Sequence, residues 1–64
     1  NNLRVERARL RLTQQELAQQ TGVTRQTIVA IEQGRFNPSV ILALKMARVF
    51  NTSVETLFEL ETTD

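Results

Sequence analysis

Two short helices joined by a turn are predicted over residues 13–34. Thr13 is followed three residues later by Glu16, which is the spacing of a capping box, and Gly22 supplies a stop for the first helix. A second helix of about residues 24–33 is likewise framed by a threonine cap and a glycine stop. The turn sets the angle between these two helices, and the other predicted elements have to pack around the pair.

The remainder of the chain is also expected to be helical. The 64 residues include only two glycines and one proline, the strongest local breakers of regular structure. Three further helices are predicted, over about residues 2–11, 39–50 and 53–58. The alternation of apolar and acidic residues that begins at Phe58 allows a short extended segment at the C-terminus. The predicted fold class is all-α, with five helices in a single domain spanning residues 1–64.

The composition excludes several classes of function. The chain has no cysteine and no histidine, so neither a disulfide framework nor the usual zinc sites are expected. It has no glycine-rich phosphate loop and no cluster of carboxylates with metal-ligand spacing, so we predict no enzyme and no cofactor. No apolar run approaches the roughly 18 residues of a membrane span, and no signal-peptide pattern opens the sequence. We expect a soluble cytoplasmic protein with no membrane partner and no evident small-molecule ligand.

Charge is distributed unevenly along the chain. Residues 1–50 contain all eight basic side chains and three of the seven acidic ones, which gives this part a net charge of +5. Residues 51–64 contain the other four acidic side chains, for a net charge of −4. A basic body with an acidic tail is typical of a protein that binds a polyanion with one side. The alternative is that these charges are simply those of an exposed helical surface and indicate no particular partner.

The second helix of the pair has two opposite faces. At about 100° per residue, Thr27, Ile28 and Ile31 fall together on one side. The opposite side carries an arginine, a glutamine and two small apolar residues, namely Arg25, Gln26, Val29 and Ala30. Arginine can bond two acceptors of guanine, glutamine can bond adenine, and small apolar side chains allow contact with a thymine methyl group. The face therefore suits the DNA major groove, although exposed helices also carry arginine and glutamine for no such reason.

Residues around this helix can contact the DNA backbone. Thr24 leaves backbone N–H groups pointing out of the helix start, and Gln14 begins the preceding helix, so both can contact phosphate oxygens. Arg35 and Asn37 follow the helix in a loop that can reach the flanking backbone. Such contacts supply salt-dependent affinity without reading sequence. Each residue also has an ordinary alternative role as a cap, a turn former or a solvated charge.

The predicted fourth helix carries more apolar residues than one buried face requires. A helical wheel can direct Val40 and Leu44 to the core with Ala47 and Phe50. The apolar residues left over predict a dimerisation region in about residues 40–60, formed by Ile41, Leu42, Val49, Leu57 and Leu60. A two-fold contact would place two reading helices about 34 Å apart, the spacing of successive major grooves. A wholly internal core with a few exposed aliphatic residues is the alternative.

Several motifs together resemble one known family. The run LTQQELAQQTGVTRQTIVAIEQG, followed by NPSV and TSVETLF, closely resembles the Cro/C1-type helix-turn-helix family, also called the Xre family. The resemblance covers about residues 3–60. It implies a five-helix DNA-binding domain, with the helix of about residues 24–33 as recognition helix. The implied function is a sequence-specific transcriptional regulator, a repressor that binds double-stranded DNA as a homodimer. An antitoxin or accessory protein whose main partner is another protein is the alternative.

The resemblance also implies roles for individual residues. Base-facing positions of the family match Arg25, Gln26, Val29 and Ala30, and phosphate-facing positions match Gln14, Thr24, Thr27 and Arg35. Thr27 conflicts with the helical wheel, which directs it to the interior. The family often pairs an arginine of the first helix with a glutamate near the end of the recognition helix. Here these residues are Arg7 and Glu32, and we interpret the pair as structural. Ala30 is shorter than the long polar residue of relatives at that position.

Overall fold

A computed structural model describes residues 1–59 as five α-helices and the turns between them. The helices are α1 (Leu3–Arg9), α2 (Gln14–Thr21), α3 (Arg25–Glu32), α4 (Val40–Phe50) and α5 (Val54–Leu57). Because residues 1–59 contain no strand, the predicted all-α fold with five helices is confirmed. Phe58 has an extended backbone and Glu59 follows it outside any regular element, whereas the rest of the predicted extended segment, from residue 60 onward, lies outside the described residues. Within residues 1–59 we find no helix with the length and apolar character needed to span a bilayer.

Side-chain caps begin four of the five helices. Thr13 Oγ1 accepts a hydrogen bond from the backbone N–H of Glu16 at 3.0 Å, and the Glu16 carboxylate accepts one from the N–H of Thr13 at 2.9 Å. The predicted capping box is therefore present, and its hydrogen bonds lower the pKa of the Glu16 carboxyl. Thr24, Ser39 and Ser53 cap α3, α4 and α5 with their hydroxyl oxygens. These local bonds fix where each helix begins.

Residues with left-handed backbone end or closely follow α1, α2, α3 and α4. Gly22 (φ +76°) follows α2 and Gly34 (φ +74°) lies just after α3, in agreement with the sequence. α1 ends two residues earlier than predicted, because Arg11 has a left-handed conformation (φ +56°). The N–H of Leu12 then donates to the carbonyl oxygen of Arg7 at 2.9 Å, which closes the helix. The turn directs the chain from α1 into the capped start of α2.

One hydrophobic core joins all five helices. α3 contributes Ile28 and Ile31, which are fully buried as the helical wheel predicts. The other buried apolar residues are Leu3, Leu17, Ala18, Leu42, Ala43, Met46, Ala47, Phe50 and Leu57. Because the two isoleucines lie three residues apart on one side of α3, their burial fixes the rotation of that helix. The opposite side of α3 is thereby turned to solvent.

The predicted rotation of α4 is only partly right: Ala47 and Phe50 are buried as the wheel predicts, but the buried side is turned away from the other two predicted residues. Val40 and Leu44, which the wheel directs to the core, are 76% and 56% exposed, and Ile41 is 68% exposed. The buried side of α4 is formed instead by Leu42, Ala43, Met46, Ala47 and Phe50. Because nine of the eleven residues of α4 are apolar, apolar periodicity does not determine which side faces inward. Lys45 and Arg48 are the informative positions, since their charged side chains remain in water and mark the exposed side of the helix.

Two of the five predicted dimer-interface residues are therefore not at the surface. Leu42 and Leu57 are buried in the core and cannot form a surface contact, so these two predictions are corrected. Val49 is half-buried and packs against the core, and its place at an interface stays a prediction. Leu60 lies outside the described residues. Ile41 remains exposed. The exposed apolar residues of α4, which we name the α4 strip, are Val40, Ile41 and Leu44.

Candidate nucleic-acid interface

α3 presents to solvent the side that the sequence predicts for base reading. Arg25 and Gln26 are exposed, and Val29 and Ala30 are half-buried at the edges of the same face. Because the N-terminal residues of the second helix in a helix-turn-helix approach base edges, Arg25 and Gln26 occupy the end of α3 best suited to that contact. All four side chains thus share an accessible surface.

Two threonines lie at the N-terminal end of α3. Thr24 Oγ1 accepts a hydrogen bond from the N–H of Thr27 at 3.3 Å, and the two hydroxyl oxygens are 3.1 Å apart. Thr24 is exposed, whereas Thr27 is half-buried. Thr27 therefore lies at a boundary, between the interior position that the wheel predicts and the exposed position that a phosphate contact requires.

A carboxylate at the end of α3 connects this helix to α1 and α2. Arg7 Nε donates to Glu32 Oε2 at 2.8 Å, and Gln14 Nε2 donates to Glu32 Oε1 at 3.1 Å. Arg7 Nη1 also donates to the carbonyl oxygen of Leu12 at 3.0 Å. The Glu32 side chain is only 1% exposed. The structure thus brings Arg7 and Glu32 together as a largely buried ion pair that holds three helices in a fixed arrangement.

Opposing effects act on the pKa of the Glu32 carboxyl. Burial alone raises its pKa, because it disfavours the charged form. Hydrogen bonds from Arg7 and Gln14, and the positive charges of Arg7 and Arg4, outweigh burial and leave the pKa below its usual value. Arg4 Nε lies 4.0 Å from Glu32 Oε1. Glu32 is therefore ionised at neutral pH.

The side-chain amide of Gln14 is engaged by this carboxylate. Gln14 is the first residue of α2, and N–H groups in the first turn of a helix have no partner within the helix. Its backbone N–H is thus the donor suited to an external anion, while its side chain positions Glu32. The sequence predicts only a phosphate contact for Gln14, so the role of its side chain at Glu32 is an addition from the structure.

Two shallow depressions flank the exposed face of α3. The basic depression is lined by residues of three helices and the turn before α2, namely Arg4, Arg7, Thr13, Gln14, Gln15 and Arg25. The aromatic depression lies between α3 and the loop that follows it, and is lined by Gln26, Thr27, Ala30, Arg35 and Phe36. Among the residues that the structure describes, neither lining includes an acidic side chain. Both depressions therefore suit a negatively charged ligand.

Two lining residues were not singled out from the sequence. Arg4 is 73% exposed and is one of four arginines in or near α1, so spacing alone does not show that it lies beside α2 and α3. Phe36 is 50% exposed, and the sequence signal that could have found it is an aromatic residue in the loop just after α3. Asn37, by contrast, lies apart from both depressions and lines a groove between α4 and α5.

Comparison with known proteins agrees with the helix-turn-helix geometry of α2 and α3. A family model described as helix-turn-helix matches residues 3–57, which is most of the chain. The chain belongs to the Cro/C1-type helix-turn-helix family. An uncharacterized HTH-type transcriptional regulator of Archaeoglobus fulgidus is 54% identical over 52 residues, covering 81% of this chain and 73% of that protein.

Relatives in the Cro/C1-type family occur in both archaea and bacteria. An uncharacterized HTH-type transcriptional regulator of Methanocaldococcus jannaschii is 48% identical over 58 residues, covering 91% of this chain and 88% of the relative. One from Bacillus subtilis is 44% identical over 61 residues, covering 95% and 92%. This Cro/C1-type chain is accordingly a DNA-binding transcriptional regulator, and regulators of this family are DNA-binding proteins rather than enzymes.

Proposed function

We propose that this chain is a sequence-specific transcriptional repressor that binds a palindromic operator as a homodimer. The observation that carries this proposal is the exposed face of α3, where Arg25, Gln26, Val29 and Ala30 lie on one accessible side of a helix whose other side is buried. A helix of this kind enters the major groove with its N-terminal residues at the base edges. Occupation of a promoter by the dimer would exclude the transcription machinery.

The base-reading face divides into two parts. Arg25 can donate to O6 and N7 of guanine, and Gln26 can pair with N6 and N7 of adenine. Val29 and Ala30, one turn further along α3, are small enough to let the helix approach the bases closely. We infer that direct readout is concentrated in the first turn of α3.

The backbone contacts surround this face. The N-terminal ends of α2 and α3 supply Gln14, Thr24 and Thr27, and the loop after α3 supplies Arg35 and, at its outer end, Asn37. Arg4 extends this set onto α1, because its exposed guanidinium group lines the basic depression. Phosphate contacts from α1, from the N-terminal ends of α2 and α3, and from the loop after α3 would fix the register of α3 in the groove.

Replacing Arg35 with glutamine is expected to weaken binding to operator and to unrelated DNA by similar factors. Loss of one phosphate contact should reduce the slope of log Kobs against log salt concentration by about 0.9 in magnitude. Fluorescence anisotropy titrations at several salt concentrations measure both quantities. Lys45→Gln is the matched control, because Lys45 is an exposed basic residue that lines neither depression. An effect of Arg35→Gln confined to one DNA sequence would contradict a backbone role.

The homodimer is proposed to form through the α4 strip. This strip adjoins the groove between α4 and α5, whose apolar lining includes Pro38, Val54 and Phe58. A contiguous apolar surface favours a self-complementary two-fold contact, in which each copy offers the same patch. The two α3 helices of such a dimer would read two half-sites.

A protein-binding role is the second candidate function, because the α4 strip could equally contact a different polypeptide. An antitoxin or accessory protein would use this surface for a partner rather than for its own copy. Sedimentation equilibrium of the purified chain separates the two. A dimer supports the homodimeric regulator, whereas a monomer that acquires operator affinity only with a partner protein supports the second candidate.

The test of the proposed function is binding to promoter DNA. Duplex fragments from the region upstream of the protein's own gene are compared with unrelated duplexes at fixed salt concentration. We expect at least one fragment to bind about 10³-fold or more tightly than unrelated DNA, as specific regulators do. Transcription from that promoter in vitro should fall when the protein is added. Equal affinity for all duplexes would reject sequence-specific regulation, and increased transcription would reject repression.

A further inference from the structure

The proposed contacts leave the exposed ring of Phe36 unused. Phe36 lies in the loop between α3 and α4, is 50% exposed and does not belong to the core cluster. Exposure of an aromatic side chain to water is unfavourable, so a ligand that covers the ring gains free energy from its burial. The position of the ring beside the base-reading helix indicates which ligand that is.

The aromatic depression is open because the side chain of Ala30 is short. Ala30 follows Gln26 by four residues, so the two lie one above the other on the same edge of α3. Phe36 and Arg35 approach from the loop and complete the lining. A long side chain at position 30 would occupy this space. The depression therefore combines an apolar part, formed by Ala30 and Phe36, with a neighbouring amide and a neighbouring positive charge.

If α3 reads the major groove as proposed above, the depression faces base edges, and we propose that it receives the 5-methyl group of an operator thymine. The thymine methyl is the apolar group that base pairs present in the major groove. Phe36 and Ala30 form the apolar contact, Gln26 bonds the adenine paired with that thymine, and Arg35 binds the adjacent phosphate. Phe36, Ala30 and Gln26 thus read one A·T pair, and Arg35 anchors the phosphate beside it without reading sequence.

The lining favours a nucleic acid over an apolar peptide as the occupant. Arg35 supplies a positive charge at the rim of the depression, and Arg25 lies on the same exposed side of α3. No acidic side chain of the described residues lines the depression to balance them. An apolar ligand without negative charge would gain no electrostatic attraction from these arginines, whereas DNA supplies a methyl group and phosphates together.

Replacement of single thymines by deoxyuridine tests the proposal, because it removes only the methyl group. We expect one thymine in each half-site at which this change weakens wild-type binding by about fourfold, the effect of one buried methyl group. Phe36→Ala should bind the thymine and deoxyuridine operators with nearly equal affinity at that position. The ratio of these affinities for each protein forms a double-mutant cycle between Phe36 and the methyl group.

Three further variants make the result specific. Phe36→Leu keeps an apolar side chain and should retain most of the discrimination. Ala30→Gln fills the depression and should remove the discrimination, which keeps the test valid if Phe36→Ala does not fold. Val5→Ala alters an exposed apolar residue outside both depressions and should leave the discrimination unchanged.

The outcomes separate this proposal from the function on which it rests. If wild-type protein binds its operator selectively but shows no preference for thymine over deoxyuridine at any position, the methyl contact is wrong and the regulator remains. The same conclusion follows if Phe36→Ala and Ala30→Gln both keep the wild-type preference. If wild-type protein selects no DNA sequence, the proposed function itself fails.

Discussion

Replacement of Arg7 with methionine is expected to lower the free energy of unfolding by about 3–5 kcal/mol, because it leaves a buried carboxylate without its main partner. The Glu32 side chain is 1% exposed, and Gln14 alone would remain within hydrogen-bond distance of it. A loss of this size is comparable to the whole stability of a small domain, which is about 5 kcal/mol at the low end of the usual range. Urea unfolding followed by circular dichroism at neutral pH measures the change.

The matched control removes both charges. In the double variant Arg7→Met with Glu32→Leu no buried charge is left unpaired, so most of the lost stability should return. If the double variant is as unstable as Arg7→Met alone, the ion pair is not the reason for the loss.

The pH dependence of stability provides a second readout of this pair. The pKa of Glu32 is lower in the folded state than its usual value, so its stabilising contribution is fully present above the unfolded pKa and is lost as the pH falls through the folded pKa. Wild-type protein should therefore lose stability relative to the double variant as the pH falls below about 4, near the usual glutamate pKa. Identical pH dependence in the two proteins would contradict this assignment.

Replacing Ile41 with glutamate is expected to separate the proposed dimer and to weaken operator binding by about 10²-fold or more, since joined binding sites gain about 10²–10⁴ in affinity over single ones. Ile41 belongs to the α4 strip and is 68% exposed in the isolated chain. A charge there would be buried without a partner on dimerisation, which is strongly unfavourable. Sedimentation equilibrium gives the oligomeric state, and fluorescence anisotropy gives the operator affinity.

Gln20→Glu is the control for the added charge. Gln20 is exposed on α2 and lies outside the α4 strip and both depressions, so this variant should remain dimeric with little change in operator affinity. A dimer that persists in Ile41→Glu would refute the α4 strip as interface. A monomer with unchanged operator affinity would show that paired half-sites are not needed.

Local signals predicted the helix pair well. The capping box of Thr13 and Glu16 and the stop at Gly22 act over three or four residues, so the sequence contains all that is needed to place α2. The rotation of α3 was predictable for a similar reason, because Ile28 and Ile31 leave one choice of buried side. The family resemblance and the exposed face of α3, where we propose base reading, follow from these features.

The errors arise where the sequence pattern is ambiguous or the partners are distant. α4 is apolar around most of its circumference, so its buried side depends on how it packs against α2 and α5. The left-handed arginine that shortens α1 has no sequence signature comparable to glycine. The basic depression joins Arg4 to Arg25, and no periodicity relates residues so far apart in the chain.

Selection of binding sites from random duplexes, with wild-type protein and with Arg25→Ala, tests most directly the claim that α3 reads DNA bases. Wild-type protein should enrich two inverted half-sites whose centres lie about 10 bp apart. Arg25→Ala should keep that spacing and lose the preference for guanine at one position of each half-site, a loss of about 1–3 kcal/mol. Failure of wild-type protein to enrich any sequence, or enrichment of the same motif with equal strength by both proteins, would contradict the claim.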